Sequence, residues 1–343
     1  MKNEVIKNNF VLRGSDPRNL LSHMAFYGLA SIIEAGKDAA LELSWTGTMD
    51  KRPQLWVTEN EVGETVHSHA KAHDNKDSWI AKRFKIANRE QGLMSPRISK
   101  LPDSDAWKKL QDERHEVLDS LTKEHAWLDL RLLWSLGEPS YRRGNGKREW
   151  TQDDWSSRLE MQPRNRGSEI ISQRFIPLAE NVSGRSVEEI IGGLRGDVAD
   201  DKLGSNRSDS RSATGFRGPG PVDDTMAWCA IWGISQFALT ISPYGKATTA
   251  GHLRNNSGEW FYVPVWKGTW FVSRLRTVLA SGHLRAFATE AVGGHSSGAI
   301  ASTSAEWLRN RGVSCVITFP VKRFGSANAP EPRAQLGTLH RLG

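Results

Sequence analysis

The sequence predicts an α+β protein: two similar helix-plus-β-hairpin units, a long helical segment, and an insert of Arg/Gly-rich loops. Three observations carry that expectation. First, Met24-Ala25-Phe26-Tyr27-Gly28-Leu29-Ala30-Ser31-Ile32 is echoed by Cys229-Ala230-Ile231-Trp232-Gly233-Ile234-Ser235-Gln236-Phe237, and each copy runs on into strand-like sequence. Gly inside a helix costs about 1 kcal/mol relative to Ala, so its recurrence at the same place predicts close backbone packing there. Second, apolar residues repeat at helical spacing through residues 104–136. Third, the character changes after Gly137, where Gly-punctuated basic loops begin. The expected divisions are therefore 1–136, 137–222 and 223–343.

In the first unit, Phe10-Val11-Leu12 reads as a strand, and Asp16-Pro17-Arg18-Asn19 as a turn with Asn19 or Asp16 as helix cap. Residues 20–35 form an amphipathic helix ended by Gly36. Leu41, Leu43 and Trp45 alternate as a strand, and a loop leads to a second strand around Leu55-Trp56-Val57. Residues 66–86 are polar and read as helical. Trp107, Leu110, Val117, Leu121, Leu128 and Leu132 mark the strongest helix, with Asp103 or Ser104 as cap and Gly137 and Pro139 as stops. Unbroken it would span about 50 Å; a break near Thr122 is the alternative.

The insert opens with Tyr141-Arg142-Arg143-Gly144-Asn145-Gly146-Lys147-Arg148. Gln162-Pro163-Arg164-Asn165-Arg166-Gly167-Ser168-Glu169 repeats the theme, and Ile170-Ile171 is a short strand or helix. Residues 200–224 read as a long loop, functional or disordered. Asp223-Asp224 then cap a helix over 225–237. A strand at 238–241, a hairpin through Asn255-Asn256-Ser257-Gly258 into 260–266, and a helix at 272–280 follow. Trp307 to Gly312 ends another helix, 313–319 is a final strand, and the tail beyond Phe324 is extended.

Composition narrows the function. No apolar run approaches the 18 residues of a membrane span, and the polar N-terminus lacks a signal-peptide core. Two cysteines, Cys229 and Cys315, sit in apolar stretches and read as buried free thiols, which suits a reducing cytoplasm. Residues 1–136 hold 20 Lys+Arg and 20 Asp+Glu, whereas 137–343 hold 26 and 19, so the net charge of +7 lies entirely in the second part, mostly as Arg. Arginine's planar fork suits phosphate. The 14 Trp residues are read first as core filling and second as base stacking.

Catalytic patterns are weak. His67, His69 and His73, with Asp74, could share a helix face and suggest a metal-dependent hydrolase, but no further ligand is identifiable by spacing. Gly192-Gly193-Leu194-Arg195-Gly196 lacks the ending of a phosphate loop, and Ser296-Ser297 lacks a nucleophile-turn pattern. Asp200-Asp201 and Asp223-Asp224 read as caps and solvated loop acids rather than magnesium ligands. No cofactor is expected. The basic loops stand out instead: Arg142, Arg143, Asn145, Lys147, Arg148, Arg164, Arg166, Arg207, Arg211 and Arg217 are the candidate nucleic-acid contacts.

Several short strings together resemble a known family. Leu12-x-Gly14-x-Asp16-Pro17-x-Asn19-Leu20 runs into Ala25-Phe26-Tyr27-Gly28-Leu29, and Arg166-Gly167-Ser168-Glu169 follows in the insert. Ala213-Thr214-Gly215 then precedes Asp224-x-x-Ala227-Trp228 and Trp232-Gly233-Ile234. The series ends with Val263-Pro264-Val265-Trp266, Arg311-Gly312-Val313 and Phe324-Gly325. In this order they resemble large-subunit-type Cascade proteins of type I-U (I-G) CRISPR-Cas systems. The resemblance implies a non-catalytic, cytoplasmic subunit of an RNA-guided antiviral surveillance complex. It would contact target double-stranded DNA near the protospacer-adjacent motif and the crRNA 5′ end. Its partners would be backbone and 5′-end-capping subunits and a recruited helicase-nuclease, with no membrane involved. An RNA-binding backbone subunit built on ferredoxin-like units is the alternative within the same type of complex.

Overall fold

A helix buried from Leu20 to Ile33, α1 (Leu20–Lys37), forms the spine of the molecule. The computed structural model describes residues 9–37, 39–47, 51–86, 88–98, 101–137, 156–161, 169–211, 214–240, 247–294, 299–325 and 330–342. Around α1 the first part of the chain places β1 (Phe10–Val11), β2 (Glu42–Trp45), β3 (Pro53–Leu55), α2 (Glu59–His73), a small hairpin of β4 (Arg83–Ile86) and β5 (Arg89–Gly92), α3 (Ser104–Lys123) and α4 (Trp127–Leu136). The middle holds α5 (Ile176–Ser183), entered through a π-helical turn at Ile171–Phe175, and α6 (Val187–Arg195). The last part runs through α7 (Asp224–Trp232), β6 (Leu239–Thr240), β7 (Thr248–Thr249), β8 (His252–Asn255), β9 (Gly258–Trp266) and β10 (Trp270–Phe271). It ends with α8 (Val272–Leu279), α9 (Gly282–Gly293), α10 (Ala299–Asn310), β11 (Val313–Phe324), β12 (Glu331–Ala334) and β13 (Thr338–Arg341). The protein is α+β, as its sequence suggests.

Side-chain caps set most helix starts. Asn19 Oδ1 accepts from the Leu21 amide at 3.1 Å, Thr58 from Glu61 at 3.3 Å and Asp103 from Ala106 at 2.8 Å. Each answers one of the amides left without an intrahelical partner. The long helix is broken near Thr122: α3 ends at Lys123 and α4 starts at Trp127. His125 takes a left-handed φ of 57°, and the Ala126 amide reaches back to Leu121 O at 2.9 Å while the His125 amide donates to Thr122 O. This is a Schellman ending with His in the place glycine usually fills. The break lets α4 turn and bury Leu128, Leu130, Leu132, Leu133 and Leu136.

Three expectations need correction. Residues 66–86 are not one helix: α2 starts earlier and ends at His73, and 83–86 is a strand. Helices α6 and α9, unexpected from the sequence, contain the glycine pairs Gly192-Gly193 and Gly293 with its cap Gly294. The stretch 200–224, outside the two undescribed residues 212 and 213, is a chain of turns tied down by buried acids. Asp201 Oδ1 accepts from Gly204 N at 2.8 Å and its Oδ2 from Val222 N at 3.3 Å. Asp223 caps α7 through Thr225 N and accepts from Arg185 Nη1 at 2.7 Å. Asp223 is thus a helix cap, as expected, whereas Asp201 and Asp224 are buried rather than solvated loop acids.

Two antiparallel sheets frame the core. The first has the order β1-β3-β2-β10, so strands from opposite ends of the chain share it. The second has the order β12-β11-β9-β8, and β13 also pairs with β11. Strand β11 carries β9 along one edge, and on the other β13 opposite Cys315–Thr318 and β12 opposite Val321–Phe324. Because side chains alternate, Glu259, Phe261, Val263 and Val265 of β9 share a face with Cys315, Ile317, Phe319, Val321 and Arg323 of β11. Helix α1 covers the middle of that face, where the His23 ring lies 5.7 Å from Phe319. Both ends of the face stay open to solvent-lined cavities.

Candidate nucleic-acid interface

At one end of this face the β8–β9 hairpin, the end of β11, the start of β12 and the segment 156–161 enclose a cleft of about 200 Å³. Arg158, Arg254 and Arg323 line it together with Glu259. Local chemistry fixes each. The hairpin turns at Asn255, whose Oδ1 accepts from the Ser257 and Gly258 amides at 2.9 and 3.2 Å, and this register sets Arg254 opposite Glu259. Arg158 is held because its amide donates to Thr249 Oγ1 at 2.9 Å, while Ser157 N donates to Leu136 O. Arg323 lies one residue before the end of the paired part of β11, opposite Pro332.

Three arginines line the cleft with two acids, Glu259 and Glu160, the second of which is paired with Arg97. Glu259 accepts from His252 Nε2 at 2.9 Å and lies 3.6 Å from Arg323 Nη2. Burial alone would push its carboxyl up, but the His252 hydrogen bond and the charges of Arg254 and Arg323 outweigh burial and hold it below the ordinary value. Burial draws the Arg158 guanidinium down; Glu259 opposes this, and Arg254, Arg323 and Arg97 add repulsion. A crowd of partly desolvated guanidiniums is relieved by an incoming anion, and phosphate oxygens fit the arginine fork. Beneath the cleft, buried Arg97 is paired with Glu160.

The expected contacts fall into two groups. Arg142, Arg143, Asn145, Lys147, Arg148, Arg164 and Arg166 lie outside the described residues. Arg207, Arg211 and Arg217 are described. Arg207 is exposed and 3.3 Å from Asp209. Arg211 Nη1 donates to the buried Glu331 Oε2 at 3.1 Å, so it is engaged in holding the 207–211 turns on β12. Arg217 is half-buried, and its carbonyl accepts from Arg333 Nη1 at 3.2 Å. Arg158, Arg254 and Arg323 were missed because they stand singly in sequence, on separate elements that only the fold brings together.

The three histidines do not form one cluster: the His69 and His73 rings lie 4.5 Å apart on α2, but His67 turns away. His67 Nε2 bonds Ser183 O at 3.0 Å, and His73 Nε2 bonds Asp129 Oδ1 at 2.8 Å. His69 is buried against Trp228 and Trp232, where desolvation draws its pKa well below the ordinary value. No group of three or more His, Cys, Asp or Glu among the described residues is placed to hold a metal ion. Cys229 and Cys315 are buried free thiols.

Among the described residues most tryptophans fill space, with Trp45, Trp107, Trp260 and Trp307 half-buried against the core. Trp79, Trp228, Trp232, Trp266 and Trp270 are buried, and Trp266 stacks on Trp270 at 4.5 Å. Trp127 and Trp134 are 51% and 59% exposed on α4.

Residues that carry the family resemblance hold structural posts. A Cβ on Gly14 would overlap Gly196. The Glu169 carboxylate accepts from the Gly92, Ile171 and Ser172 amides at 3.2, 2.8 and 2.8 Å. Asp224 Oδ2 accepts from Asn181 Nδ2 at 2.9 Å.

No helix among the described residues is long and apolar enough to cross a membrane. No family model and no curated protein sequence matches the chain.

Proposed function

We propose that the chain is a non-catalytic nucleic-acid-binding subunit of an RNA-guided surveillance complex, contacting target DNA near the crRNA 5′ end. The observation that carries the binding is the convergence of Arg158, Arg254 and Arg323 on one cleft, with Glu259 as their shared acid. The assembly is what the sequence resemblance implies. Phosphate contacts then supply affinity and salt dependence, while guide pairing supplies sequence choice. The alternative, an RNA-binding backbone subunit built on ferredoxin-like units, draws on the first sheet: β1, α1, β2, β3 and α2 follow one another in the chain, and the order β1-β3-β2 puts β3 antiparallel between the parallel strands β1 and β2, as in a split βαβ unit.

The test is fluorescence anisotropy of single- and double-stranded oligonucleotides across a salt series, for the full chain and an Arg158→Ala/Arg254→Ala/Arg323→Ala variant. Each phosphate contact removed lowers the slope of log affinity against log salt by about 0.7–0.9. An unchanged slope and affinity would refute the cleft as the contact surface. Co-purification of a discrete guide RNA with the tagged protein from its native cells tests the assembly separately.

A further inference from the structure

The opposite end of the same sheet face holds a second, larger cavity of about 530 Å³. Its floor is apolar: Val265, Cys315 and Ile317 of the sheet, with Leu339 and Leu342 at the side. Leu339 is 46% exposed, an apolar surface left to water. Its rim is basic. Lys267 continues β9 beyond Val265, Arg341 lies opposite Cys315 on β13, and Lys51 reaches in from the β2–β3 loop with Nζ donating to Ser314 Oγ at 3.2 Å. No carboxylate lines the cavity among the described residues.

That combination selects a compact apolar body bearing an anion. A size of about 530 Å³ falls in the range of small-molecule sites, which are mostly apolar with a few placed polar groups. Three cations around one mouth suit a dianion better than a single carboxylate, because each adds Coulomb attraction and hydrogen-bond donors to a phosphate. We infer that this cavity binds a nucleoside 5′-monophosphate unit, with the base against the exposed face of Leu339 and the phosphate between Lys51, Lys267 and Arg341. The unit comes either as a free nucleotide or as the 5′-phosphorylated end of a strand. The cavity lies about 27 Å along β11 from Arg323, taking ~3.4 Å per residue, so this inference stands whether or not the arginine cleft binds nucleic acid.

Cys315 provides a built-in reporter. Though buried, it is 4% exposed and lines the cavity, whereas Cys229 in α7 is 0% exposed and serves as internal reference. The full chain is treated with methyl methanethiosulfonate, and labelling of each cysteine is read by peptide mass spectrometry. Adenosine 5′-monophosphate, adenosine, inorganic phosphate, decanoate and 5′-phosphorylated or 5′-hydroxyl oligonucleotides are compared as protectants. The monophosphate is expected to slow Cys315 labelling, and K267E/R341E to weaken that protection about tenfold or more. Both substituted residues are exposed, so the thermal midpoint should hold. Stronger protection by the phosphorylated oligonucleotide identifies a strand end; equal or stronger protection by the mononucleotide identifies a free ligand. Protection by decanoate but not the monophosphate, or equal protection of the double variant, overturns the assignment.

Discussion

Gly28 and Gly233 lock two copies of one sequence pattern against each other. The Gly28 Cα faces the Cys229 carbonyl, and the Gly233 Cα faces the Met24 carbonyl. The first residue of each pattern therefore meets the glycine of the other, the arrangement of two antiparallel helix segments about a local two-fold axis. A Cβ at either glycine would overlap a backbone atom, and no flexible side-chain end can swing aside to relieve it. Gly28→Ala and Gly233→Ala should each destabilise by about 2–3 kcal/mol, although Ala is the better helix former by about 1 kcal/mol. Urea unfolding checks this. The double variant should cost less than the sum, since one separation of the helices relieves both overlaps.

The repeat was legible because it is a local string with a costly residue at a fixed place. Its consequence was not, since sequence shows likeness between segments and not which face meets which. The same limit separates the caps from the arginine cleft. Asn19, Asp103 and Asp223 act within three residues, so spacing alone finds them. Ser186-x-x-Glu189 was an equally local signal for α6: Ser186 Oγ accepts from Glu189 N at 3.2 Å and the Glu189 carboxylate from Ser186 N at 2.8 Å. By contrast Arg158, Arg254 and Arg323 are brought together only by long-range pairing of β9 with β11, which no local pattern encodes.

Asp129 joins α4 to α2. Its Oδ1 accepts from Trp79 Nε1 at 2.6 Å and from His73 Nε2 at 2.8 Å. Burial would push the carboxyl up, but the His73 and Trp79 hydrogen bonds outweigh it and hold the group below its ordinary value. Stability from a depressed carboxylate is present above the unfolded value and lost as pH falls through the folded one. Asp129→Ala should therefore cost about 2–4 kcal/mol at neutral pH by orphaning two buried donors. The difference from the parent should shrink on acidification, as chemical unfolding at pH 7 and at pH 3 will show.

Asp224 and His23 give folding stability opposite pH dependences. Desolvation raises the Asp224 carboxyl to about 6, and lowers His23 to about 4. A raised folded carboxyl loses stability as pH climbs from about 4 to about 6; a depressed histidine loses it as pH falls from about 6.5 to about 4. Asp224→Asn keeps an oxygen acceptor for Asn181 and removes the buried charge. It should stabilise by about 2–3 kcal/mol at pH 7 and leave the histidine limb exposed, so that stability now falls steadily from pH 6.5 to 4.5. Denaturant midpoints at three pH values decide it: a variant no more stable than the parent at pH 7 would contradict the assignment.

Glu331 is the acid on which three arginines depend. Arg333, fully buried, donates Nη2 to Oε1 at 2.5 Å; Arg211 donates to Oε2; and Arg174 is attracted from nearby. Glu331→Ala should cost about 3–5 kcal/mol, because it strands a buried guanidinium. Arg211→Ala removes only the half-exposed partner and should cost about 1 kcal/mol or less. Protease cutting near residues 207–217 should rise sharply in the first variant and little in the second, which separates loss of the anchor from loss of a surface charge.

The basic loops and the cleft should act as one surface. In the sequence, residues 142–148 come before and residues 164–166 come after the segment whose Arg158 lines the cleft. Replacing Arg142, Arg143, Lys147 and Arg148 with Ala should weaken duplex binding and lower the salt slope by about 0.9 for each phosphate released. Coupling distinguishes a shared surface from two separate ones. Two independent sites would leave the loop variant's effect unchanged when Arg158, Arg254 and Arg323 are also replaced. One surface would make the second set of substitutions cost less than the first, since the strand has already lost its register. A salt series on the parent, both variants and their combination measures that coupling directly, and strict additivity would divide the loops from the cleft.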